Sequence, residues 1–272
     1  MPAATVRILL GSLALLSWLP SAAEPQPLRH RQLFRVPIDE PVLALAFVGD
    51  GRILSLAADS LSLWRLEDDG ARRVARATWP RGSAVVRHGG GLIVGRSDES
   101  AAWLLSSYAE GAQLVRVDGP RLVLGDVAAA APWPSAPEGL RFRPGTNLVD
   151  GVGSDAGAFA IVALDTASHA VVREDGMLIL EAGETQLRVG SAIASLWPDA
   201  LLASGAGPPG AADALSLLRR AGAAWERSWS MALPGAVTAV AARSGARAAD
   251  VVLALRTAAG PELMRLELRP AP

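Results

Sequence analysis

One pattern dominates this chain: short apolar strands in a run, followed by a join made of an outer strand, a turn and a fresh apolar strand, returning every 34 to 44 residues. The clearest copy is Val42–Gly70, VLALAFVGDGRILSLAADSLSLWRLEDDG. Leu43, Leu45 and Phe47 alternate with small residues. Ile53, Leu54 and Leu56 resume after the Gly49-Asp50-Gly51 turn, and Leu61, Leu63 and Leu66 follow Asp59-Ser60. A period of two predicts strands, and the turn residues between them predict hairpins. A single antiparallel meander cannot bury both of its faces, so it needs copies of itself to pack against.

The join recurs in LFRVPIDEPVLAL, ARATWPRGSAVV, QLVRVDGPRLVL, LRFRPGTNLVDG leading to AFAIVAL, TQLRVGSAIASL and SWSMALPGAVTAV. Taking Val42, Val85, Leu122, Phe159, Ile193 and Val237 as equivalent first-strand positions gives six units, spaced close to the ~40–50 residues of a four-stranded propeller blade. The expected fold is therefore all-β, a six-bladed β-propeller spanning 32–272 as a single domain. The last unit is one strand short, and QLFRVP at 32–37 supplies that strand, so that the N-terminal strand closes the last blade and covers two edges. The third unit is the poorest, with one clear strand followed by an Ala/Pro stretch. Five blades, or an irregular third blade, are the alternatives. ADALSLLRRAGAAWERSW at 212–229 has some helical spacing. Gly222 and the match of ALSLLRR to the other third strands favour a hairpin.

Residues 1–23 carry one charge, Arg7, then the apolar run ILLGSLALLSWL and the small residues Ser21-Ala22-Ala23. That order predicts a cleaved signal peptide, and the 12 apolar residues fall short of the ~20 a membrane-spanning helix needs. Residues 24–31 read as an extended leader. Periplasmic or secreted localisation follows as an expectation. Without cysteine, the chain has no disulfide framework, thiol nucleophile or thiolate metal site. The segment after Ala23 holds 25 arginines, no lysine and 27 acids, a formal charge of −2 with no basic run, which argues against a nucleic-acid partner.

Two stretches carry a family resemblance. The first unit, 42–66, resembles WD-type blades, and AVTAVAARSGARAADVVLALRTAAGPELMRLEL at the end is similar to the FG-GAP/VCBS-type repeats of exported bacterial β-propellers. Asp250-Val251-Val252-Leu253 matches that family's strand entry. The preceding turn, Ser244-Gly245-Ala246-Arg247-Ala248-Ala249, has no carboxylate where the family binds calcium, so the resemblance implies the propeller without the cation.

The chemical motifs are few. Gly205-Ala206-Gly207-Pro208-Pro209-Gly210 has the spacing of a dinucleotide loop, but its prolines remove two amide donors and disfavour the helix such a loop must open. His30, His88 and His169 are far apart, and Asp50, Asp68, Asp69 and Asp175 sit in glycine turns where aspartate bonds its own backbone. No metal or cofactor is expected, and no catalytic residue is assigned. The tryptophans Trp64, Trp79, Trp103, Trp133 and Trp197 fall in third strands or before proline at joins, as packing between blades requires. LRFRPGTNLVDG at 140–151 breaks the repeat rhythm and concentrates Arg141, Arg143, Thr146, Asn147 (the only asparagine) and Asp150 about a Pro-Gly turn. These five are the candidate binding residues, since loops on a rigid scaffold commonly carry recognition. The expected function is a monomeric, non-catalytic module binding a protein or cell-envelope component. The alternative is a glycan-active hydrolase or lyase with a site in the central channel.

Overall fold

The computed structural model describes residues 28–270 except 49–50, 58–59, 79–86, 89–92, 95–100, 107–110, 129–140, 143–148, 151–157, 164–168, 174, 181–182, 198, 208–210, 223 and 246. Among the described residues every regular element is a strand. No helix among them is long and apolar enough to cross a membrane.

Strand β1 (Leu28–Pro37) is followed by the first sheet, a meander of β2 (Ala44–Phe47), β3 (Arg52–Leu56), β4 (Ser60–Leu66) and β5 (Ala71–Thr78) paired in chain order. The alternation read from the sequence becomes two apolar faces. Leu56 opposes Leu61 and Leu54 opposes Leu63 on one face, while Phe47 opposes Ile53 and Ile53 opposes Trp64 on the other. Each fully buried leucine here contributes about 1.5–3 kcal/mol relative to exposure.

Next come β6 (Arg87–His88), β7 (Ile93–Val94), β8 (Ala101–Ser106), β9 (Gly111–Asp118) and β10 (Arg121–Ala128). The second sheet is β7 to β10 in order. This corrects one unit boundary: Leu122 does not begin a separate blade. QLVRVDGPRLVL folds back on itself as a hairpin, with Asp118 opposite Arg121 across Gly119-Pro120. The sequence Asp-Gly-Pro is a tight turn between alternating strands, and a two-residue loop returns the chain to its own neighbour.

The third sheet takes β11 (Arg141–Phe142), β12 (Val149–Asp150), β13 (Ala158–Ala163), β14 (His169–Arg173), β15 (Met177–Leu180) and β16 (Gly183–Arg188) in order, with β6 pairing in parallel to β13 as a seventh strand. Strand β10 thus belongs to the second sheet and β11 and β12 to the third, and the described residues form five sheets.

The fourth sheet is β17 (Ile193–Trp197), β18 (Ala200–Ser204), β19 (Ala214–Ala221) and β20 (Ala224–Ala232). Strands β19 and β20 form the hairpin favoured by the sequence: Ala221 opposes Ala224, and Gly222 takes the left-handed turn position at φ +64°. The fifth sheet joins β21 (Ala236–Ser244), β22 (Ala249–Thr257) and β23 (Gly260–Pro270) to β1 in the order β1-β23-β22-β21.

The pairing of first strand with last is therefore present, running from Pro37 opposite Glu262 to Leu28 opposite Pro270 with one irregularity between Gln32 and Phe34. The strand begins at Leu28. Residues 28–31, assigned to the leader by sequence, extend it because Leu28 buries its side chain against the layer between the fourth and fifth sheets.

Apolar layers join the first sheet to the second and the fifth, the fourth to the fifth, and the third to the fourth. Leu54, Leu56, Leu61 and Leu63 of the first sheet meet Val117 and Leu122 of the second. Leu45, Phe47 and Ile53 meet Ala241, Val252 and Ala254 of the fifth. Leu202 and Leu217 meet Val251 and Leu253, and Val172 and Leu178 meet Leu201 and Leu218. Inner strand packs on inner strand: β2 on β21, β21 on β17, and β17 on β13. Consecutive meander sheets stacked face to face in this way are a repeat architecture of β-propeller type.

Candidate functional site

The inner strands decide what chemistry the middle of the molecule can offer. β2 is Ala-Leu-Ala-Phe, β13 is Ala-Phe-Ala-Ile-Val-Ala and β17 is Ile-Ala-Ser-Leu-Trp, none with an ionisable group. In β21 the only one is Arg243, near the end of the strand. Its guanidinium lies 4.8 Å over the Phe47 ring and 3.4 Å from Asp250. Small residues let these strands approach closely, and Thr238 Oγ1 donates to the Val42 carbonyl at 2.6 Å, tying β21 to the segment before β2.

Ionisable residues reach the inner strands along one edge of β13. Arg141 pairs with Asp150 and Phe142 with Val149 in the two-stranded β11–β12 ribbon, and Val149 pairs with Ala158 of β13. Immediately alongside, Arg87 and His88 of β6 pair with Ala160 and Ile161. The topology thus brings Arg87, His88, Arg141 and Asp150 to a single sheet edge. Of the five candidate binding residues, Arg141 and Asp150 are register partners, while Arg143, Thr146 and Asn147 lie outside the described residues. The Arg141–Asp150 pairing is what a Pro-Gly turn between them leads one to expect. The arrival of Arg87 and His88 had no signal in the sequence, because a parallel pairing across more than 70 residues leaves no local pattern.

The other polar clusters hold the fold together. The connector after β1 crosses to the first sheet, where Asp39 receives Arg73 at 2.6 and 2.8 Å, and Glu40 receives Arg76 at 2.7 Å and Ser60 at 2.6 Å. The Arg73 hydrogen bonds hold the Asp39 carboxyl below its ordinary range. In the fifth sheet Arg35 grips Glu262, one contact being 3.0 Å from Nη2 to Oε1, and lowers its pKa with help from Thr257. Asp250 accepts from Nε and Nη2 of Arg265 at 2.8 and 2.9 Å, which raises the pKa of the arginine. Asp175, in an exposed turn, is lowered to about 2 by Arg173 and by the Met177 amide. Among the described residues no group of three or more His, Asp or Glu side chains is placed to hold a metal ion.

No family model matches the chain, and no curated protein matches it either. Solved structures that it resembles include a streptogramin B lyase, with 11% identity over 90% of this chain and 98% of the other at a TM-score of 0.45. A chain of a mitotic checkpoint complex gives 12% identity, 96% and 98% coverage and a TM-score of 0.44. The S. cerevisiae core factor gives 10% identity over 86% of this chain at 0.40, and this chain spans 48% of that one.

Proposed function

We propose that the protein is an exported, non-catalytic β-propeller that binds a protein or cell-envelope component through polar segments set on a rigid ring. The observation that supports this reading is the chemistry of the inner strands: β2, β13 and β17 carry no ionisable group, and the single arginine of β21 is engaged by Phe47 and Asp250. Among the described residues, these four strands offer no free acid or base along their length. The ring has five blades in this reading. The six blades of the sequence count would need an independent sheet from the unit at Leu122, whose strand instead pairs with β9. Export rests on the character of residues 1–23, and the recognition surface on the 140–151 segment.

A second reading, a glycan-active hydrolase or lyase, draws on the convergence of Arg87, His88, Arg141 and Asp150 at the β13 edge. One experiment separates them. A tagged chain lacking residues 1–23 is used to capture partners from an envelope extract of its own source, beside an R141A/R143A variant. The expected outcome is a specific partner whose capture falls at least tenfold in the variant. Capture of nothing, together with glycan cleavage abolished by His88→Ala, replaces the binding module with the enzyme.

A further inference from the structure

Arg52 pairs with Arg65, and Arg65 pairs with Arg72, so three guanidinium-bearing residues stand directly opposite one another across β3, β4 and β5. Register partners project from the same face of a sheet, about 4.8 Å apart from strand to strand, and like charges so placed repel. Arg52 donates to the Gly119 carbonyl at 3.2 Å, which shows that the row faces the second sheet. Arg65 is exposed and has no hydrogen bond or ion pair among the described residues. Arg72 reaches Glu67 only at 3.4 Å, with both side chains about half exposed or more.

The opposite face of the same sheet is arranged differently. There Arg73 and Arg76 are each met by a carboxylate, Asp39 and Glu40, delivered by the connector from β1. Among the described residues, one face thus has its arginines paired at 2.6–2.8 Å, while the other has one exposed 3.4 Å pair, Arg72 with Glu67.

The geometry points to a binding strip for a phosphate-bearing ligand along Arg52, Arg65 and Arg72. A carboxylate has two oxygens and is satisfied by one forked arginine, as Asp39 is by Arg73. A phosphate has three or more acceptor oxygens and up to two charges, so it can accept from neighbouring guanidiniums at once and relieve the repulsion along the row. The strip lies on the first sheet, apart from the β13 edge, and stands or falls independently of the function proposed above.

The test is titration of the purified chain with inorganic pyrophosphate at fixed ionic strength, because screening weakens exposed ion pairing. Sedimentation with phosphatidylglycerol vesicles, against phosphatidylcholine vesicles, runs beside it. The variants are Arg65→Gln, the triple R52Q/R65Q/R72Q, and Arg256→Gln on the fifth sheet as a charge-matched control, each checked for fold by circular dichroism. The expected result is binding that weakens about tenfold in Arg65→Gln, the cost of one charged hydrogen-bond partner, is lost in the triple variant and is unchanged in Arg256→Gln. Pyrophosphate binding without vesicle binding assigns a soluble phosphate, and vesicle binding competed by pyrophosphate assigns a lipid headgroup. The proposal is overturned if neither phosphate probe binds, if Arg256→Gln loses as much as the triple variant, or if polyglutamate binds and both phosphate probes do not.

Discussion

At the scale of single residues, one carboxylate ties the fourth sheet to the fifth. Asp213 follows the loop after β18. Its Oδ1 accepts the amides of Gly205 at 2.8 Å and Ala214 at 2.7 Å, and its Oδ2 accepts the Val237 amide at 3.2 Å from the fifth sheet. Its carbonyl also accepts the Leu233 amide at 2.8 Å. Residue 205 must be small, since a Cβ there would lie 2.5 Å from Oδ1. Asp213 is thus a bracket between two sheets, and Gly205 makes room for this carboxylate of the chain itself. Asp213→Ala removes the side-chain acceptor of the Ala214 and Val237 amides, while the Gly205 amide keeps the Ala214 carbonyl at 2.9 Å, and should destabilise the fold by about 1–3 kcal/mol. Asp213→Asn keeps one acceptor oxygen and should cost less. Urea unfolding of the two variants checks this, and equal midpoints for wild type and Asp213→Ala would refute the bracket.

At the scale of elements, β1 is held in an unusual balance. Only Leu28 and Phe34 of its ten residues are buried, so the strand depends on its ladder to β23 and on the Arg35–Glu262 and Asp39–Arg73 pairs. Both carboxyls are held below their ordinary range, Glu262 chiefly by Arg35 and Asp39 chiefly by Arg73. A depressed carboxyl binds fewer protons folded than unfolded. Its contribution is therefore complete above the ordinary carboxylate range of about 4 and is lost as pH falls through the lower folded value. Amide hydrogen exchange of residues 28–37 should accelerate below about pH 4 relative to β22. Protection that stays in step with β22 down to pH 3 would show that the ion pairs contribute nothing to the strand. The pairing of β1 with the last sheet was legible because the final repeat lacks a strand and QLFRVP has the right alternation. Residues 28–31 were not, because Arg29, His30 and Arg31 look like solvated leader. Their ladder to β23 shows them to be strand, anchored by burial of Leu28 and by the edge-on contact of His30 with Trp229 at 5.7 Å. Leu122 misled for the converse reason. Its outer strand, turn and apolar strand have the same alternation whether the chain crosses to a new sheet or turns back on the old one. Arg141 and Asp150 were singled out by composition, whereas Arg87 and His88 come to the same sheet edge through tertiary pairing alone.

At the scale of the whole molecule, the question is whether the sheets are separate modules or one cooperative unit. The first, fourth and fifth sheets have four strands each and two apolar faces, and each face packs against a neighbouring sheet. Leu253, fully buried on β22, packs in the layer that also holds Leu202 and Leu217 of the fourth sheet. The opposite face of the same strand, through Val252 and Ala254, packs with Leu45 and Phe47 of the first sheet. Strand β22 therefore belongs to two inter-sheet layers, and loosening it should be felt on both sides. Leu253→Ala removes buried methyl groups and leaves a cavity, at a cost of about 2–5 kcal/mol. For a chain of this size that lowers the melting temperature by roughly 4–20 °C. Trp64 lies in the first sheet and Trp229 in the fourth, on opposite sides of β22. Retaining one tryptophan of this pair at a time, with the others replaced by phenylalanine, gives two local fluorescence reporters. Both should report the same lowered transition in Leu253→Ala, coincident with the loss of far-ultraviolet circular dichroism. Modules that melt independently would leave the Trp64 transition where it was, and the idea of a single cooperative stack would then have to be abandoned.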